Sequence, residues 1–151
     1  MATTDEITDV LGYLIKLNKD RVEAYKRASY ETSIADLKDI FSNMADESRK
    51  NITDLTKDIL SHNRIPVTSE LEGVDEIYKV WFETNSKFIN RDFNTALNMC
   101  ELSEEALLNC YDEANAILLN TTVIELTVRQ KESLKSSLEI IKAYRKAYTR
   151  V

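Results

Sequence analysis

The sequence predicts an all-α protein, one domain over 1–151, built as a bundle of four long helices with a long crossover that contains a short fifth helix. Three observations predict it. Four segments, each of about 26 to 29 residues, carry apolar side chains at helical spacing. Gly and Pro are scarce, with two and one in 151 residues, which leaves little turn chemistry for many short strands. The breaks between the segments alternate: tight, then long, then tight.

The first helix, about 5–30, opens at Thr4 or Asp5 as a cap and carries the stripe Ile7, Val10, Leu11, Leu14, Leu17, Val22, Tyr25 and Ala28. "ETS", Glu31 to Ser33, is a tight connection with Ser33 as the expected cap of the second helix, about 34–62. That helix aligns Leu37, Phe41, Met44, Ile52, Leu55 and Ile59, and so short a turn makes the two antiparallel neighbours. "NRIPVTSELEG" holds the only proline and reads as an ordered loop before a helix over about 74–89 that buries Val74, Ile77, Trp81 and Phe88. Trp81 with Tyr78 is expected to anchor that crossover helix.

After "NRD", the segment 93–119 carries Phe93, Leu97, Cys100, Glu104, Leu107, Tyr111, Ala114 and Leu118, a 4-3-4-3 stripe without a slip. "NTT" turns the chain into the last helix, 122–149, with Val123, Thr127, Gln130, Leu134, Ser137, Ile141, Tyr144 and Tyr148. Helices of this length are ~40 Å long, and the stretch from Asn63 to Asp92 has the reach to return along such a rod. Hairpin, long crossover, hairpin is the connectivity of ferritin-like bundles; an up-and-down five-helix array is the rival.

A net charge of −6 and a pI near 4.9 disfavour a nonspecific grip on nucleic acid or on an anionic membrane. The N-terminus lacks the basic start and apolar run of a signal peptide, and no stretch approaches the ~18–20 apolar residues that span a bilayer. Cys100 and Cys110 share one helix, ~15 Å apart and beyond disulfide reach. A cytoplasmic protein with reduced thiols is the expectation.

The middle of the bundle carries the chemistry, if any is present. Counted from the turns, Asn18 lies 14 residues before Thr32 and Ser48 lies 16 after it; Glu104 lies 17 before Thr121 and Ser137 lies 16 after it. All four are polar and on inward stripes, with Arg21 and Asn51 one turn away. A di-iron site would need a glutamate from each of two helices and a Glu-x-x-His pair from each of the others. Here the second helix offers Ser48-x-x-Asn51 or Glu47-x-x-Lys50, and the last offers Leu134-x-x-Ser137 or Glu139-x-x-Lys142. The only histidine, His62, falls at the end of the second helix, ~20 Å from the midpoint, where it reads as a C-terminal cap.

Three readings follow. The leading one is a non-enzymatic protein with a buried polar layer of Asn18, Arg21, Ser48, Asn51, Glu104 and Ser137, with no catalytic or cofactor-binding residue. The second is a carboxylate site for iron or manganese, using Glu104 with Glu101, Glu47 or Glu23, in a protein with a stress or oxidative role. The third is a helical interaction module, with Ile15, Val128 and Leu138 as exposed apolar candidates for a homodimer interface. Glu101 and Glu105 turn away from the stripe. Tyr25, Tyr111, Tyr144 and Tyr148 fall on inward stripes near helix ends, where each packs its ring and reaches a rim partner. No phosphate-cradling glycine loop, nucleophile elbow or zinc-finger spacing occurs.

Several of these segments carry a resemblance. "NKDRVEAYKRASYE" matches an Asn-x-Asp-Arg-x-Glu-x-Tyr pattern at Asn18, Asp20, Arg21, Glu23 and Tyr25. "FSNMADESRKNITDL" matches Phe-x-x-x-Ala-x-x-Ser-Arg at Phe41, Ala45, Ser48 and Arg49, and Trp81 matches a tryptophan in the crossover. "CELSEEALLNCY" is similar to a Cys-Glu-x-Gly-Glu-Asp segment followed by a tyrosine, at Cys100, Glu101, Glu104, Glu105 and Tyr111. Together they make the chain resemble an uncharacterised bacterial family of four-helix-bundle proteins, a domain of unknown function grouped with the ferritin-like superfamily. The resemblance implies a ferritin-like bundle and no established activity. Family members carry histidine three residues before the tryptophan and another in the last helix, where this chain has Tyr78 and Leu138, a departure that counts against a metal role.

Overall fold

A computed structural model describes residues 2–66, 73–79, 81 and 93–149. They form an all-α four-helix bundle: α1 (Thr4–Glu31), α2 (Ala35–Ser61), α3 (Phe93–Leu118) and α4 (Ile124–Thr149), with no strand among the described residues. α1 is capped by Thr3 rather than Thr4 or Asp5. The Thr3 hydroxyl accepts from the Glu6 N–H at 3.1 Å and the Glu6 carboxylate accepts from the Thr3 N–H at 3.4 Å, a reciprocal capping box. At the α1–α2 turn the expected cap Ser33 is not used: the position preceding α2 is Ile34, and Thr32 Oγ1 accepts its N–H at 3.3 Å. His62 does stand at the C-cap of α2. The α2 and α3 ends continue through Asn63 and Asn120, both at positive φ, where asparagine is among the residues best tolerated.

Long-range pairs fix the topology. Arg21 and Asn18 of α1 meet Glu104 and Tyr111 of α3, so the two helices run antiparallel. Asn51 and Glu47 of α2 meet Gln130 and Ser137 of α4 in the same opposed sense. α2 and α3 are therefore parallel, and the crossover spans the bundle's length. This is hairpin, crossover, hairpin, not a five-helix array.

The short fifth helix expected over 74–89 is, in its described part, a 3-10 turn at Glu76–Tyr78; residues 80 and 82–92, with Phe88, lie outside the described residues. Side chains of α1 hold this stretch in place. Asp20 Oδ2 accepts from the Asp75 N–H at 2.8 Å, Tyr13 Oη donates to Asp75 Oδ2 at 2.9 Å, and Lys16 Nζ donates to the Gly73 carbonyl. Tyr78 and Trp81 are buried beside α1 and α3; Arg27 Nη1 donates to the Trp81 carbonyl at 3.0 Å and Trp81 Nε1 donates to Ser103 Oγ at 3.3 Å.

The core divides in two. One cluster gathers Tyr25, Phe41, Met44, Trp81, Leu97 and Ile141; the other gathers Leu11, Leu14, Leu55, Leu107, Leu118 and Leu134. Two of the three residues expected on an exposed apolar face are inside: Ile15 and Leu138 are buried, and only Val128 is exposed. α1 packs on α2, on α3 and on the 3-10 turn, so its buried arc is wider than the single stripe read from its periodicity.

Candidate functional site

Between the two apolar clusters lies a polar layer fed by all four helices. Asn18, Arg21, Ser48, Asn51 and Glu104 are buried, and the Arg21 guanidinium is at its centre. Arg21 Nη2 donates to Glu104 Oε1 at 2.8 Å, and Nε lies 3.2 Å from both oxygens of that carboxylate. On its other side, Nη1 stands 2.8 Å from Glu47 Oε1, and it donates to Ser48 Oγ at 2.9 Å and to the Met44 carbonyl at 3.1 Å. The tyrosine ring one turn on completes the cage: the guanidinium carbon lies 5.3 Å from the Tyr25 centroid, and Tyr25 Oη donates to Glu104 Oε1 at 3.0 Å.

The network continues toward the second cluster. Ser48 Oγ donates to Asn18 Oδ1 at 2.8 Å, which also accepts from Asn51 Nδ2 at 3.1 Å. Asn18 Nδ2 donates to Tyr111 Oη at 3.0 Å, Tyr111 Oη donates to Gln130 Oε1 at 2.7 Å, and Gln130 Nε2 donates to the Asn51 carbonyl at 3.3 Å. Ser137, half-buried at the edge, donates to Glu47 Oε1 at 2.9 Å, and Ser133 donates to the same carboxylate's other oxygen.

Three members went unrecognised in the sequence. Tyr25 and Tyr111 were expected to send their hydroxyls to the rim, and both hydroxyls are instead inside the layer. Gln130 reads as one more position on the α4 stripe. Periodicity says which face a residue occupies; only the register between helices says which polar atom it meets.

Burial pushes the Glu104 carboxyl up from its ordinary value, with Arg21 and Tyr25 pulling the other way. Burial would depress Arg21, yet Glu104 and Glu47 more than offset it and hold the guanidinium charged. Tyr25, Tyr78 and Tyr111 are all raised, first by burial, as is the Cys100 thiol, so at neutral pH these four groups keep their protons. Tyr78 Oη, fully buried and close enough to feel Glu104, has no hydrogen-bond partner among the described residues.

The carboxylates proposed as metal ligands do not come together around a shared point. Glu104 and Glu47 face opposite sides of one guanidinium. Glu101 pairs with Arg145 Nε at 2.5 Å, and Glu23 is exposed on the outside of α1. Among the described residues no group of three or more His, Cys, Asp or Glu side chains is placed to hold a metal ion. An iron or manganese ion between Glu47 and Glu104 would stand where Arg21 already supplies the positive charge. The donor set does not fit the metal.

Fold and site together define an all-α four-helix bundle with an arginine–carboxylate layer at mid-height. A family model described as a domain of unknown function (DUF2383) matches residues 6–116, a span that takes in α1 from Glu6, all of α2 and α3 as far as Ala116. The chain belongs to that family. No curated protein and no solved structure matches it. No helix of the described residues is long and apolar enough to cross a membrane.

Proposed function

We propose that this chain is a non-enzymatic bundle of the ferritin-like type in which a buried guanidinium serves as the internal cation, and that its biological role is carried by its surface. One observation supports this above the rest: Arg21 takes up the inward-facing oxygens of Glu104 and Glu47 at 2.8 Å each. A carboxylate spent on a charge-assisted pair is a poor metal ligand and a poor general base, because either role would first break that pair. The neighbouring hydroxyls and the Cys100 thiol are protonated at neutral pH, so the layer holds no activated nucleophile. The acidic balance of −6 favours protein or small-molecule partners over nucleic acid.

The test is elemental analysis of untagged protein purified without chelator, repeated after incubation with iron, manganese and zinc, with Glu104→Gln alongside. The expected result is no retained metal in either protein, and a variant changed only in stability. Near-stoichiometric metal that disappears in Glu104→Gln would overturn the reading and establish a carboxylate centre.

A further inference from the structure

The two seams between the hairpins are closed differently. Where α1 meets α3, the crossover lies over the seam with the buried Tyr78 and Trp81. Where α2 meets α4, two clefts of about 130 and 190 Å³ open along the seam, lined by α2 and α4 alone. Glu47 lines both, so they form one groove that runs to either side of mid-height. The end toward the close of α2 is polar: Lys50, Asp54 and Arg129 line it, with the buried amides of Asn51 and Gln130. The other end is chiefly apolar, formed by Ile40, Met44 and an Ile140 that is 47 % exposed.

Lys50 and Arg129 pair with no acid among the described residues, although Asp54 lines the same cleft. Glu47 adds no free charge: Arg21 meets it from inside, and Ser133 and Ser137 donate to its two oxygens. Two cations against one acid make the polar end favour an anion. The planar fork of Arg129 fits a carboxylate in particular. Asn51 and Gln130 each spend one amide N–H on the layer, to Asn18 and to the Asn51 carbonyl, and each has a second to offer. An alkyl chain lying over Glu47 strands nothing, because both oxygens of that carboxylate are already bonded. The length of the groove is set by the helices: Lys50 to Ile40 is ~15 Å along α2, and Arg129 to Ile140 is ~16 Å along α4. At ~30 Å³ for each water-sized group, the two clefts hold roughly ten non-hydrogen atoms between them, the count in octanoate.

We infer that the α2–α4 groove binds a medium-chain alkyl carboxylate, a ligand of the fatty-acid class. Its head group pairs with Lys50 and Arg129 and takes the spare amide N–H groups of Asn51 and Gln130. Its chain crosses the serine-capped Glu47 and ends against Ile40, Met44 and Ile140. Sites between the helices of a bundle commonly have this make-up, apolar with a few converging polar groups. The groove gives a ligand to the surface role proposed above, and the two readings fail separately. Retained metal would overturn the reading of the layer and leave the titrations below unchanged.

The whole chain can be titrated at neutral pH with hexanoate, octanoate, decanoate and octylammonium, each below its micelle concentration. The backbone amide signals of Lys50, Ser133 and Ile140 report on the groove, and those of Leu60 and Leu102 on apolar surface elsewhere. The expected result is saturable binding of octanoate at the groove signals, with octylammonium at least ~10-fold weaker. Affinity should rise ~2- to 4-fold for each CH2 added from hexanoate to octanoate. Lys50→Gln/Arg129→Gln, both on exposed side chains, should weaken octanoate at least ~10-fold. Ile140→Ser should weaken decanoate more than hexanoate. No saturable response, an octylammonium as tight as octanoate, or a folded Lys50→Gln/Arg129→Gln variant that binds undiminished would overturn the site. Equal affinity for hexanoate and octanoate, or shifts that follow Leu60 and Leu102 instead, would overturn the alkyl chain. Sedimentation of the ligand-free chain should show a monomer; a dimer that Ile140→Ser dissolves would mean that a second copy fills the groove, and would overturn the ligand.

Discussion

Replacing Arg21 by methionine tests the mid-bundle layer at its most exposed assumption, that the guanidinium is what makes two inward carboxylates tolerable. The substitution keeps a long apolar stem and removes every donor. Among the described residues Glu104, 1 % exposed, would retain only the Tyr25 hydroxyl at 3.0 Å from Oε1. Glu47 is better placed, because its side chain is 16 % exposed and keeps two serine hydroxyls. The penalty therefore falls chiefly on Glu104, and stranding one partner of a buried pair costs about 3–5 kcal/mol. For a chain of this size that is a loss of roughly 6 to 20 °C in Tm. The sign of the pH dependence follows from the same geometry. Burial raises Glu104 and Arg21 opposes it, so without Arg21 the folded variant holds a proton that the unfolded chain has released. Stability of the variant is then fully present below the ordinary carboxylate range and is lost as pH rises through the folded value of Glu104. Urea unfolding at pH 5 and pH 8 should show a deficit against the parent that grows between the two. Arg21→Met/Glu104→Met should recover most of it, since an apolar replacement of a whole buried pair is often neutral or better. A deficit below ~1 kcal/mol, or one equal at both pH values, would refute the assignment of Arg21 as the layer's cation.

Tyr78→Phe removes a buried hydroxyl that has no partner among the described residues, so the variant should be at least as stable as the parent in urea unfolding, by up to ~1–3 kcal/mol; a clear loss of stability would mean the hydroxyl is satisfied. Thr3→Ala breaks the capping box of α1 and should cost ~1 kcal/mol in the same assay. Cys100 is fully buried with its thiol pushed up by burial, whereas Cys110 is half-buried and also raised. A thiol reagent at pH 8 should therefore leave Cys100 unmodified until the chain unfolds and reach Cys110 first, with mass spectrometry of digested protein reading the order.

Much of this architecture is legible in the sequence because long amphipathic helices state their own periods. The segments read as 5–30, 34–62, 93–119 and 122–149 end within two residues of the observed helices at both ends. The layer is legible for a related reason: Asn18, Arg21, Ser48, Asn51 and Glu104 are polar residues on apolar stripes, and counting from the turns sets them at one height. What the stripe cannot state is which atom meets which across the bundle, so the hydroxyls of Tyr25 and Tyr111 and the amide of Gln130 went unrecognised. The crossover is harder still. In its described part it is held by side chains of α1, chiefly Asp20 and Tyr13 on Asp75, and a stretch ordered from outside need not carry a helical period of its own. The burial of Ile15 has the same origin, since α1 is covered on more sides than two-helix packing would cover it.

The position of the layer explains why a bundle would keep it at all. Apolar contacts are non-directional, and two clusters of leucine, isoleucine and aromatic side chains could be satisfied by hairpins that slide or swap faces. The α1–α2 and α3–α4 hairpins are set by their tight turns, so the open question in folding is how one hairpin meets the other. Part of the layer falls on that question: Arg21 and Tyr25 of α1 reach Glu104 of α3, and Gln130 and Ser137 of α4 reach Asn51 and Glu47 of α2, while the bonds of Arg21 and Asn18 to α2 lie within one hairpin. A slip of one helical turn, ~5.4 Å, would put Glu104 against apolar neighbours and leave the guanidinium half-paired. The desolvation cost of the pair is then the same in the native register and in every wrong one, while its compensation exists in the native register alone. A side-chain cation does this without any loading step, because Arg21 arrives with the chain. We therefore propose that the layer acts as a device for specificity between hairpins, a role that a small net contribution to stability would not weaken.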